Sequence, residues 1–146
     1  MLSRKQFSGL SHQLHDPNVG GFSVNMQTGK SPSSGIMVSD LAGEQKSPLS
    51  GTHGPDIEAY ARANKKHLAG KDRFMGGWAN KGTVYLDRST RFPATPLGRA
   101  QGYVHTVANN QRAAYDIGAD SDVFTQPGFV EDKRKAMRML RGENVA

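Results

Sequence analysis

The chain has 146 residues, 36% of them hydrophobic, with 17 glycines and 7 prolines, which leaves room for one compact domain with a modest core and long irregular segments. Nineteen lysines and arginines against thirteen acids give a formal charge of +6 and bias the chain toward polyanions, meaning nucleic acid, an acidic protein surface or anionic lipid. The absence of cysteine excludes disulfides, thiolate metal sites and cysteine nucleophiles, and no apolar run approaches the ~18 residues of a membrane span.

Residues 1–19 are expected to form an N-terminal arm. Phe7, Leu10 and Leu14 recur at i, i+3 and i+7, a helical stripe that Ser and Gly interrupt and Asp16-Pro17-Asn18 ends. The first residues carry no continuous hydrophobic stretch of the secretory kind, so the default location is the cytoplasm or an assembly built there. Gly21 to Ser39 has the pattern of a hairpin, with Phe22 and Val24 on one strand, Ile36, Met37 and Val38 on the return, and Thr28-Gly29 in the turn. Asp40 to Gly54, rich in Gly, Ser and Pro, is expected to be a linker.

Gly54-Pro55 opens a helix with Pro at the first position and Asp56 and Glu58 in the first turn. Ile57, Tyr60, Ala61, Asn64 and Leu68 share one face, Lys65, Lys66 and His67 follow near the end, and Gly70 is the expected stop. A second hairpin pairs MGGWAN with TVYLDRS around Asn80-Lys81-Gly82. Val84 and Leu86 take one face, Tyr85 and Asp87 the other, and Gly76-Gly77 suggests a bulge or a close backbone approach. A second helix starts at Thr95-Pro96, with Leu97, Ala100, Val104, Val107, Ala108, Gln111 and Ala114 at helical spacing and assigned to the core. Tyr115 to Gly118 adds a closing strand. The expectation is an α+β fold in the order β-β-α-β-β-α-β, a compact domain over 20–119. Residues 120–146 are expected to form a linker and a short basic helix with Ala136, Met137 and Leu140 on one side.

His12-x-x-His15 has a spacing that can ligate a metal on a helix, but no further ligands cluster with it in the sequence. Thr28-Gly29-Lys30-Ser31 resembles the end of a phosphate-binding loop, yet the first glycine of that motif would fall on Val24 and Pro32 blocks the helix. Trp78, Tyr85 and Tyr103 could form a stacking platform for bases. A lone Trp beside two glycines is more often a core anchor, and on that reading Trp78→Ala unfolds the domain.

The pattern GGF-S-V-N, TG-K, SSG-IMVS, then GGW, G-TVYLD and NNQRAAYDIG resembles a family of small tailed-bacteriophage proteins. The resemblance covers roughly Gly20 to Gly118 and implies a viral gene product encoded among virion and assembly genes. It brings no catalytic residue with it.

Two functional readings follow. The first is a non-enzymatic phage structural or assembly-associated protein, in the virion or in the host cytoplasm during assembly, that docks in multiple copies on other virion proteins with no cofactor, metal or membrane. Its expected partner-binding anchors are Phe7, Leu10 and Leu14 in the arm and Met137 and Leu140 in the tail. The alternative is a basic nucleic-acid-directed protein, either a small metal-independent RNase or a host-directed binding protein. Metal-independent cleavage needs a base, an acid and cations at the phosphate, for which Lys81, Arg88, Thr90, Arg91 and His105 are the material, while Lys65, Lys66, Arg88, Arg91 and His105 are the candidates for phosphate contacts.

Overall fold

The computed structural model describes residues 1–125. Among them lie three helices and seven strands in the order α1 (Arg4–His15), β1 (Gly21–Val24), β2 (Ile36–Ser39), β3 (Gln45–Pro48), α2 (Gly54–Ala63), β4 (Arg73–Asn80), β5 (Thr83–Phe92), α3 (Pro96–Ala108), β6 (Ala114–Asp116) and β7 (Ser121–Val123). This is a mixed α+β fold with an antiparallel sheet. Its order departs from the expected one by a helix ahead of β1 and by two further strands, β3 inside the expected linker and β7 after β6. The chain divides into two compact units, the first made of Met1–Pro32 and Ala42–Ser89, the second of Ser33–Leu41 and the chain from Thr90 onward.

The first unit overturns the N-terminal arm. Ser3 starts α1 with a reciprocal cap: its hydroxyl accepts from the Gln6 amide at 3.2 Å while Gln6 Oε1 accepts from the Ser3 amide at 2.8 Å. The stripe of Phe7, Leu10 and Leu14 is buried among Val24, Ile57, Leu68, Met75, Val84 and Leu86, and α1 packs on α2, β1 and β4. These three residues are therefore core of their own unit and are not free to anchor a partner. An amphipathic stripe gains most where apolar surface is already at hand, and the same chain supplies it. Met137 and Leu140, the other expected anchors, lie outside the described residues.

Gly21 to Ser39 is not a hairpin. β1 pairs with β4, from Gly21 opposite Trp78 to Val24 opposite Met75, while β2 belongs to the second unit and pairs with β6, Ile36 opposite Asp116. Between them, buried Asn25 holds a turn together. Its Nδ2 donates to the carbonyls of Gly70, Lys71 and Arg73 at 3.3, 3.0 and 3.2 Å, and its Oδ1 accepts from the amides of Gln27 and Thr28. One amide side chain thus satisfies polar groups of two separate loops, which burial would otherwise penalise.

The β4–β5 hairpin closes through Lys81 at φ 51° and Gly82 at φ 78°, the left-handed pair that a two-residue turn requires. No bulge interrupts β4, because the register with β1 runs through Gly76 and Gly77. A side chain on Gly77 would strike the Phe22 ring, and one on Gly76 the Asp87 carboxylate. On the other edge of β5 sits β3, Gln45 opposite Leu86 and Pro48 opposite Thr83. Helix α2 starts where expected at Gly54-Pro55 but stops at Asn64, ahead of Gly70, with the chain passing through a 3-10 turn at His67–Ala69.

In the second unit the sheet continues from the end of β5 to β2, β6 and β7, and α3 packs on β2 and β6. Ile36, Val38 and Ala114 form the buried centre, with Phe92, Val123 and Phe124 around it. The face of α3 turned inward is Gly98, Gly102 and Thr106, not the apolar stripe. Gly102 lets Ile36, Phe92 and Phe124 approach, and Gly98 sits tight against the Pro93 carbonyl. Close approach of small residues has won over bulk.

Candidate functional surfaces

The five expected phosphate contacts are divided between the two units. Lys65, Lys66 and Arg88 are in the first unit, Arg91 and His105 in the second. Lys65 and Lys66 are exposed on the turn after α2. Arg88 lies along Gly43 and its Nη1 donates to Asn64 Oδ1 at 3.2 Å. Arg91 Nη1 donates to the Ser34 carbonyl at 2.9 Å. His105 meets the buried carboxylate of Asp40 through Nε2 at 2.9 Å and packs its ring on Phe92. Arg88, Arg91 and His105 therefore hold loops in place.

His15 and His53 also serve the fold. His15 Nε2 lies 2.7 Å from the Thr52 carbonyl and His53 Nε2 lies 3.0 Å from the Ser50 carbonyl, and the two rings stack at 4.9 Å between centroids. His12 faces a groove of about 610 Å³ between α1 and the start of α2, lined also by Arg4, Ser8, Ser11 and Glu58. Among the described residues no group of three His, Cys, Asp or Glu side chains is placed to hold a metal ion.

With Gly98, Gly102 and Thr106 inward, the apolar side of α3 faces outward. Leu97 is 69% exposed and Val104 64%, with Tyr103 and Val107 exposed beside them. Near the start of the same helix, Arg99 Nη1 donates to Asp116 Oδ2 at 3.0 Å. The Ala119 amide, donating to Asp116 Oδ1, and then Arg99 hold this carboxyl below the usual carboxylate range. A depressed folded-state value stabilises the fold above the ordinary pKa of about 4, and that contribution is lost as pH falls through the folded value. Asp116→Asn is expected to remove this acid-labile component, seen as a shallower decline of the thermal midpoint on acidification.

The solvent face of the first unit's sheet carries the feature that most departs from expectation. Trp78 is 51% exposed, not a core anchor. Its ring stacks on Tyr85 at 5.4 Å with 25° between planes, and Lys46 Nζ lies 5.5 Å from the Tyr85 centroid. The signal was present in the sequence. The two-residue turn at Lys81-Gly82 puts Trp78 opposite Tyr85, and Tyr85 alternates away from core-facing Val84 and Leu86, so Trp78 must share the outer face. Trp78→Ala is accordingly expected to destabilise the protein by about 1 kcal/mol or less in denaturant unfolding, within the range of exposed cross-strand pairs, where a core Trp would cost about 3–5 kcal/mol.

Comparison with protein-family models, curated proteins and solved structures returned no match.

Proposed function

We propose that the protein is a non-enzymatic docking subunit of a tailed-phage particle, seated in multiple copies against other virion proteins through the outward face of α3. The observation that carries this reading is the exposure of Leu97, Val104 and Val107 on one helix. Soluble monomers seldom leave such a stripe to water, and an amphipathic helix with anchors one and two turns apart suits an apolar groove on a partner. Covering one such side chain contributes about 1.5–3 kcal/mol, enough for a few together to hold a subunit in place. The resemblance to small phage proteins supports the virion, or the host cytoplasm during assembly, as the setting.

The nuclease alternative has less support, because His105 and Arg91 are engaged in the packing of the second unit. Among the described residues no helix is long and apolar enough to cross a membrane. The test is mass spectrometry of purified particles from a phage that encodes this chain. Stoichiometric copies are expected, with Val104→Asp leaving the fold intact but depleting the protein from particles. Absence of the parent chain from particles would sink the reading.

A further inference from the structure

On the outer face of the first unit's sheet, one row of residues runs across four strands: Lys46 on β3, Tyr85 on β5, Trp78 on β4 and Gly21 on β1. Tyr85 is thus held between Lys46 and the indole. The opposite indole face is turned toward β1, where the facing residue has no side chain. That gap is enforced: a β-carbon on Gly21 would lie 2.6 Å from the Gly77 carbonyl oxygen and 3.2 Å from Trp78 Cβ. Gly76 and Ser23 occupy the adjoining row. The result is a slot with an aromatic wall and a backbone floor, built on strands and stiffened by the Tyr85 stack.

We propose that this slot binds single-stranded nucleic acid, one base stacking on the free face of Trp78 with the phosphate backbone led past Lys46 and the exposed Lys81 at the hairpin tip. A flat, open slot accepts any planar ring and does not select among bases. The flanking lysines and the +6 charge of the chain favour a polyanion over a neutral glycan, which an exposed aromatic could also accept. This binding surface belongs to the first unit and does not depend on the docking face of α3.

Trp78 is the only tryptophan, so its emission reports the stack directly. Titration at low salt with an oligothymidylate of about 12 nucleotides, within the span of single-strand sites, is expected to give saturable quenching that salt reverses. By anisotropy of the labelled oligonucleotide, Trp78→Ala is expected to weaken binding about 10-fold, in line with one lost base stack. Trp78→Phe should retain most of the affinity. Lys46→Gln should lower the slope of log affinity against log salt by about 0.7, one phosphate contact on a single strand. Thermal melts establish that each variant is folded, and the lowered salt slope of Lys46→Gln carries the test should the alanine variant not be. Val104→Asp should bind the oligonucleotide like the parent, which separates this site from the docking face. Absence of quenching, affinity unchanged in folded Trp78→Ala, or quenching by a soluble oligosaccharide and not by the oligonucleotide would each overturn the proposal.

Discussion

Phe7→Ala is expected to destabilise the protein by about 3–5 kcal/mol, the range for truncating a fully buried aromatic side chain. Phe7 is 1% exposed and lies in the largest buried cluster of the first unit. Total stabilities of domains this size are about 5–15 kcal/mol, so the variant should have a strongly lowered urea midpoint with a similar denaturant slope. Phe7→Leu refills most of the space and should cost less than about 1.5 kcal/mol. The pair decides between a helix that belongs to the core and an arm that only borrows order from a partner. An arm would leave the isolated protein equally stable with either residue, and circular dichroism through a urea series reads the difference.

Asn25→Asp, a change of one atom type, should cost about 3 kcal/mol or more. The native NH2 donates to three carbonyls, and Asp places a carboxylate oxygen against them in a site the native side chain leaves 4% exposed. Stranded acceptors and a buried charge each carry a penalty of ~1–3 kcal/mol, more for the charge. The sign with pH is distinctive. Protonating the new carboxyl restores one donor and removes the charge, so the deficit relative to the parent should shrink on acidification. A deficit independent of pH would mean that the loops at 25–30 and 70–73 hold without the clamp.

What could be read from the sequence was local. Thr95-Pro96 and Gly54-Pro55 mark helix starts because caps are chemistry within a few residues, and Lys81-Gly82 marks a hairpin for the same reason. The partners of β1 and β2 were hidden, since each strand pairs with a segment far along the chain and nothing in Phe22–Val24 or Ile36–Val38 names it. Hydrophobic spacing also located the stripe on α3 without saying which way it turns. Leu97 and Val104 are apolar, but Gly98 and Gly102 allow the closer approach, and packing followed the glycines. The outer aromatic row, by contrast, was within reach of register counting, and a composition prior about lone tryptophans obscured it.

The pairing of Ile36 with Asp116, with most of the first unit inserted between them, also sets a timetable. During synthesis β2 emerges long before β6 exists, while residues up to Ser89 already suffice for the first unit. At roughly 5–20 residues per second, β2 waits on the order of ten seconds with Ile36 and Val38 lacking their eventual cover from Ala114. Birth order therefore makes the first unit the early folder and leaves the second to close last, across a wider sequence separation than the β1–β4 or β3–β5 pairs span.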